Sequence, residues 1–83
     1  MSKFKYDLGI IGLGYVGLPL AVEAANSKLK VAGYDINESL VDSLNKSSSH
    51  VEDISDKVLQ DAISKDLLFT SDSSVLRDSE YIV

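Results

Sequence analysis

The sequence predicts an α/β fold, in which a doubly wound parallel sheet carries helices on both faces, and three observations predict it. Short apolar runs alternate with helical segments in the order β-α-β-α-α-β-α-β. These runs are apolar nearly throughout, as in parallel strands that are buried on both faces. A cluster of glycines follows the first run, where the first helix begins. Strands that alternate with helices in this way pair in parallel through helical crossovers.

The first half of the chain contains the glycine cluster between two predicted strands. Residues 6–11 form a short apolar strand that ends at a glycine, and residues 16–25 form a helix that is apolar on most faces. Pro19 is tolerated only in the first turn of a helix, so the helix begins within the glycine cluster. Residues 30–34 form the second strand, and Asp35 closes it.

Two amphipathic helices follow the second strand. Asn37 is placed to cap the first of them, which ends near Asn45, and Ser55 is placed to cap the second. Asp56 in the first turn of the second helix complements the helix dipole. The apolar stripe of that helix is predicted to consist of Val58, Leu59, Ala62 and Ile63.

The last part of the chain predicts two further strands around a short helix. Residues 67–70 form a third strand, residues 72–78 a short helix, and residues 81–83 open a fourth strand that we expect to be buried. We therefore expect residues 1–83 to be the N-terminal piece of a longer protein.

Composition and charge exclude several classes of function. The 83 residues carry a net charge of −5, and their eight lysines and arginines are scattered, which disfavours a nucleic-acid partner. The longest apolar run, residues 8–22, is interrupted by glycines and a proline, so we expect no membrane segment. The chain has no cysteine, which fits a reducing, cytoplasmic location and leaves no cysteine metal site.

The glycine cluster carries the chemistry. Gly12-Leu13-Gly14-Tyr15-Val16-Gly17 matches the G-x-G-x-x-G pattern of Rossmann-like dinucleotide-binding folds, between a strand and a helix as that pattern requires. Gly12 permits a tight turn, Gly14 lets a pyrophosphate approach the backbone, and Gly17 lets the helix pack closely on the sheet. Backbone N–H groups at the helix start then receive the anion.

Asp35 stands at the separation of about 20 residues at which this fold places a ribose-binding acid. Its carboxylate would accept hydrogen bonds from the adenosine ribose and repel a 2′-phosphate. Residues 36–39 include no arginine or lysine that could neutralise such a phosphate. The predicted cofactor is therefore NAD rather than NADP.

Each of these residues also has a plainer interpretation. The glycines could form an ordinary turn, and Asp35 could be an ordinary aspartate at a strand end. Tyr15 could flank the cofactor or cover the edge of the sheet. His50, the one histidine, lies in a polar loop where such residues are usually solvated, and residues 52–53 read as solvated acids near a helix start.

Four segments of the chain resemble the start of the UDP-glucose/GDP-mannose dehydrogenase family: IGLGYVGLPLAVEAA, VAGYDINESLVDSLN, SHVEDISDKVLQDAI and LLFTSD. The Gly-Tyr-Val-Gly-Leu-Pro extension is more specific than the bare glycine pattern. Residues 49–54 resemble the branch that acts on UDP-N-acetylhexosamines. The resemblance covers essentially the whole chain.

This resemblance implies an enzyme that oxidises the C6 alcohol of a UDP-sugar to a carboxylate in two NAD-dependent steps, in polysaccharide biosynthesis. It implies that residues 1–83 are the N-terminal portion of an NAD-binding Rossmann domain, which a substrate domain follows in the whole enzyme. It also implies a homodimer, NAD cradled by residues 12–17, and Asp35 on the ribose. The family's catalytic lysine, asparagine and cysteine have no counterpart in these 83 residues, so no catalytic residue is assigned and the segment alone is expected to be inert.

Two departures from the family's pattern concern the adenosine side. Leu40 stands where members often have a basic residue, and Lys46-Ser47 stand where many have a glycine.

The glycine-rich turn and the acid at the strand end also fit two other functions. One is a non-catalytic nucleotide-sensing module, and the other is a different NAD-dependent dehydrogenase with the same first half.

Overall fold

The eight predicted elements are all present, in the predicted order, in the computed structural model, which describes residues 4–83. The strands are β1 (Tyr6–Ile11), β2 (Val31–Tyr34), β3 (Leu67–Thr70) and β4 (Ser79–Ile82). The helices are α1 (Gly17–Asn26), α2 (Glu38–Asn45), α3 (Asp56–Ile63) and α4 (Ser74–Arg77). The α/β prediction is confirmed, and Pro19 lies in the first turn of α1, as its missing N–H requires.

The four strands form one parallel sheet in the order β3-β2-β1-β4. In the register of β1 and β2, Ile11 lies beside Tyr34, the last residue of β2. The segments that leave these two strands therefore begin side by side. The N–H of Gly12 donates to the carbonyl oxygen of Tyr34 at 2.8 Å and extends this pairing into the turn.

The predicted caps of α2 and α3 are confirmed. The Oδ1 atom of Asn37 accepts the N–H of Leu40 at 3.1 Å. The Oγ atom of Ser55 accepts the N–H of Val58 at the same distance. Each side chain satisfies one of the N–H groups that lack an acceptor at a helix start.

One face of the sheet carries α1, α2 and α3, and the main core lies between them. Its fully buried large side chains are Ile10, Leu13, Leu18, Val31, Leu44, Leu59 and Phe69. The predicted stripe of α3 is only partly right. Leu59 and Ala62 are buried and Ile63 is half-buried, whereas Val58 is exposed because it lies on the side of the helix turned away from this core.

Of the elements in residues 4–83, α4 alone covers the opposite face. A Cβ atom added to Gly9 in β1 would lie 3.4 Å from Cδ2 of Leu76, so this helix packs directly on the strand. Leu68, Ala32, Gly9 and Ile82 are paired across the four adjacent strands and so form one row across the sheet. The two central residues of this row, Gly9 and Ala32, are buried, while the two outer ones, Leu68 and Ile82, are exposed. The expectation of strands buried on both faces therefore holds at the centre of the sheet and not at its edges, because a four-residue helix is too short to reach them.

The last strand begins at Ser79, earlier than the sequence indicated, and lies at the edge of the sheet. Its apolar residues, with Val83 after them, are exposed rather than buried as expected. Among the helices of residues 4–83, none has the length and hydropathy needed to cross a membrane.

Candidate functional site

The turn between β1 and α1 is tight because Gly12 adopts a backbone conformation that other residues rarely adopt. Its φ angle is 92°, in the left-handed region that favours glycine. This conformation lets the chain leave the strand while the Gly12 N–H still bonds to Tyr34. The predicted reason for a glycine at this position is therefore present in the backbone itself.

Gly17 is required for a different reason. A Cβ atom at this position would collide with the carbonyl oxygen of Gly12. The first residue of α1 thus lies directly against the turn that precedes it. Any side chain at Gly17 would push the helix away from the end of β1.

Gly14 has neither of these reasons. It does not share the positive φ angle of Gly12, and a Cβ atom added to it would meet no heavy atom of the described chain within 4 Å. Glycine loses more conformational freedom on folding than any other residue, so this position costs stability without a return in packing. The open space above Gly14 instead fits a group that is not part of the chain.

The backbone donors around Gly14 point to the charge of that group. Within residues 4–83, the N–H groups of residues 14–17 donate to no protein acceptor. Val16 precedes α1 without a side-chain cap, in contrast to the capped α2 and α3. A ten-residue helix with free N–H groups presents the positive end of its dipole here, which suits an anion.

Asp35 lies against the glycine-rich turn. Its Oδ2 atom accepts the N–H of Leu13 at 2.9 Å, and its Oδ1 atom accepts the N–H of Asn37 at 2.9 Å. Each carboxylate oxygen can accept a second hydrogen bond, so the half-buried side chain keeps acceptor capacity for a ligand.

Leu13 differs from the other residues predicted to bind the cofactor. Its side chain is fully buried in the main core, and its N–H is engaged by Asp35. Leu13 therefore fixes the turn to the core and to the end of β2, and it presents no free N–H donor to a ligand.

Exposed apolar side chains surround the turn. Ile36, Val16 and Tyr15 are 83%, 82% and 76% exposed, the largest values among the large hydrophobic residues of the described chain. Tyr15 does not cover the edge of the sheet, which was one of its two interpretations. A group of solvent-exposed apolar side chains of this kind is typical of a binding surface.

Three features around the glycine-rich turn were not predicted from the sequence: the bond between Asp35 and Leu13, the exposure of Ile36, and a contact between the rings of Tyr15 and His50. All three depend on which segments the sheet brings together, and no local pattern reports this.

Glu52 and Asp53 are exposed, as expected. Within residues 4–83, no cluster of three or more histidines and acids could hold a metal ion.

Comparison with known proteins identifies the family. Residues 6–83 match the profile described as "UDP-glucose/GDP-mannose dehydrogenase family, NAD binding domain". The chain is 47% identical over 51 residues to the UDP-N-acetyl-D-mannosamine dehydrogenase of Campylobacter jejuni, covering 61% of this chain and 12% of that protein. It is 34% identical over 77 residues to Protein CapL of Staphylococcus aureus, covering 93% of this chain and 17% of that protein.

A solved structure shows the same fold. The UDP-D-ManNAc dehydrogenase of Pyrococcus horikoshii superposes with a TM-score of 0.82 at 32% identity, covering 92% of this chain and 19% of that one. The chain thus spans between 12% and 17% of the length of the two curated relatives. With a matching profile over residues 6–83 and a fold in common, the chain belongs to the UDP-glucose/GDP-mannose dehydrogenase family, as its NAD-binding domain.

Proposed function

We propose that the turn of residues 12–17 and Asp35 form the NAD site of this domain. The N–H groups of residues 14–17 bind the pyrophosphate at the start of α1. The two hydroxyls of the adenosine ribose donate to the remaining acceptor positions of the Asp35 carboxylate. Leu13 contributes by holding the turn against Asp35, through the bond at 2.9 Å.

The observation that carries this proposal is the empty space at Gly14. The other two glycines of the motif are explained by the chain's own backbone, one by its φ angle and one by a contact with a carbonyl oxygen. Gly14 is explained only by a group that approaches its backbone from outside. The free N–H groups beside it favour a negatively charged group, which the dinucleotide pyrophosphate supplies.

The surroundings of Asp35 favour NAD over NADP. A 2′-phosphate on the ribose would lie beside a carboxylate, and the next four residues, Ile36–Ser39, bring no positive charge. The exposed side chain of Ile36 offers an apolar surface to the adenine ring.

For the whole protein, we infer an NAD-dependent nucleotide-sugar 6-dehydrogenase that oxidises the C6 alcohol of a UDP-N-acetylhexosamine to a carboxylate in two steps, as a homodimer. The Campylobacter and Pyrococcus relatives, named as dehydrogenases of UDP-N-acetylmannosamine, support this substrate class. Bound NAD would accept a hydride in each oxidation. The residues described above bind and orient the cofactor and carry out no bond-breaking step.

The cofactor site is tested by the substitution Gly14→Val, with NAD binding to the whole protein measured by calorimetry. The Cβ atom of the new side chain would enter the space of the pyrophosphate and meet no heavy atom of the described chain within 4 Å, so we expect a melting temperature no lower than that of the unmodified protein and an NAD affinity at least about ten-fold lower. The matched control, Gly17→Ala, should instead lower the melting temperature, because its Cβ collides with Gly12. An unchanged NAD affinity in the Gly14→Val protein would contradict the proposal.

The substrate is tested by following NADH formation by the whole protein with a panel of UDP-sugars. We expect activity with one of the N-acetylated sugars, UDP-N-acetylmannosamine, -glucosamine or -galactosamine, and little with UDP-glucose. A preference for UDP-glucose would overturn the substrate assignment and leave the NAD site untouched.

A further inference from the structure

The loop between α2 and α3 reaches the glycine-rich turn through one pair of rings. The centroids of Tyr15 and His50 lie 6.4 Å apart, with their planes at 62°, an edge-to-face arrangement. Both residues are exposed, so this pair does not belong to the core. It stands in solvent, and Tyr15 itself carries one of the free N–H groups of residues 14–17.

The backbone holds His50 in this position from both sides. On one side, the N–H of Ser49 donates to Oδ1 of Asp56 at 2.8 Å. The Ser49 hydroxyl bridges to Val51, donating to its carbonyl oxygen at 3.0 Å and accepting its N–H at 3.1 Å. On the other side, the side chain of Val51 is buried in the main core. His50 is the exposed residue between two anchors, so its ring needs little further ordering to meet a ligand.

The chemistry of an imidazole suits an anion at this place. Backbone N–H groups are neutral donors, and the carboxylate of Asp35, bonded to the same turn, opposes a second negative charge. A protonated histidine adds a positive charge and a donor that a phosphate oxygen can accept. The chain has one histidine, and the structure places it beside the turn.

We propose that His50, braced by the ring of Tyr15, is a phosphate-binding residue of the dinucleotide site, contributed by the α2–α3 loop rather than by the glycine motif. This inference rests on the proposed NAD site and adds a residue to it. His50 donates to a pyrophosphate oxygen held by the turn, and Tyr15 fixes the orientation of the imidazole. The domain would thereby gain a positive charge for its ligand that the G-x-G-x-x-G pattern does not supply.

The test measures NAD affinity of the whole protein with His50→Ala and His50→Gln. We expect each to weaken NAD binding about ten-fold near pH 6.5 without lowering the melting temperature. Lys46→Ala is the charge-matched control, because it removes a full positive charge from the same loop at a residue that caps α2. An equal loss in the control would overturn the proposal in favour of long-range electrostatics.

A pH series separates a ligand contact from a structural role. Imidazole is the side-chain group that ordinarily changes charge between about pH 5 and 8, whereas carboxylates and phenols ordinarily do so outside this interval. NAD affinity of the unmodified protein should therefore fall as the pH rises through this interval, and the His50→Gln protein should lose that part of the slope. Identical slopes in the two proteins would overturn the assignment.

The pairing with Tyr15 is tested by a double-mutant cycle of His50→Ala and Tyr15→Ala. If Tyr15 acts by bracing His50, the loss from the double variant is smaller than the product of the two single losses. Independent losses would refute the bracing role.

Failure of this inference is distinguishable from failure of the NAD site. NAD affinity that falls in Gly14→Val but not in the His50 variants refutes only the role of His50, and a protein that does not bind NAD refutes both.

Discussion

Asp35 and Leu13 are joined by a hydrogen bond of 2.9 Å, from the backbone N–H of Leu13 to Oδ2 of Asp35. The acid at the end of β2 therefore holds the turn that follows β1. Its other oxygen accepts the N–H of Asn37, the residue that caps α2. A side chain predicted for its contact with a ribose is thus also a link between the first two β–α connections of the sheet.

This double role predicts that substitution of Asp35 costs stability as well as NAD affinity. Asp35→Ala removes a charged acceptor from two backbone N–H groups, and we expect it to lower the free energy of unfolding by about 2 kcal/mol. Asp35→Asn keeps one acceptor oxygen and should lose about half as much. Urea denaturation followed by circular dichroism measures both.

Asp7 provides the matched control for Asp35. Its Oδ2 atom accepts the N–H of Lys30 at 2.9 Å, a similar link between β1 and β2 at the opposite, N-terminal ends of these strands. Asp7→Ala should lower the free energy of unfolding by about 1 kcal/mol and leave NAD affinity unchanged. If Asp35→Ala were as stable as the unmodified protein, the structural role of this carboxylate would be refuted.

The choice of cofactor gives a second prediction at the same position. Asp35→Ser with Ile36→Arg removes the charge that repels a 2′-phosphate and adds one that attracts it. We expect the preference to shift from NAD towards NADP, with a lower melting temperature because the bond to Leu13 is lost. Affinities of both cofactors for both proteins measure the shift, and a persistent strict preference for NAD would assign the determinant to another residue.

Sequence patterns predicted the elements well because each has a local cause. The boundaries of β1 and α2, the caps Asn37 and Ser55 and the place of Pro19 follow from residues within a few positions of one another. The exposure of Val58 and of the last strand had no such cause, because it depends on which side of an element a partner covers.

The candidate site divides in the same way. The positions of Gly12 and Gly17 could be predicted, since the strain and the contact that require glycine arise inside the turn. The contact of His50 with Tyr15 could not be predicted, because it depends on the path of a loop distant in sequence. Leu13 is predicted as one residue of the cofactor-binding turn, and the bond of its N–H to Asp35 joins residues too far apart in sequence for a local pattern to report.

The end of α2 predicts a substitution that stabilises the domain. Ser47 follows the C-terminal cap of this helix with a φ angle of 61°, and it belongs to the Lys46-Ser47 pair at which the family resemblance leads us to expect a glycine. Its N–H bonds to the carbonyl oxygen of Leu44 and that of Ser48 to the carbonyl oxygen of Ser43, both at 2.9 Å. These two bonds define a Schellman motif, in which glycine is preferred at the left-handed residue.

Ser47→Gly should therefore raise the free energy of unfolding by about 1 kcal/mol, because it removes the Cβ atom that is crowded against the backbone in the left-handed region. Lys28→Gly, at the equivalent position after α1 with a φ angle of 68°, should give a similar gain. Ser48→Gly is the control: its φ angle is not positive, so glycine there adds only freedom to the unfolded chain and should lower stability slightly. Urea denaturation of the three variants tests this, and a Ser47→Gly protein no more stable than its Ser48→Gly counterpart would show that the left-handed conformation at Ser47 carries no strain.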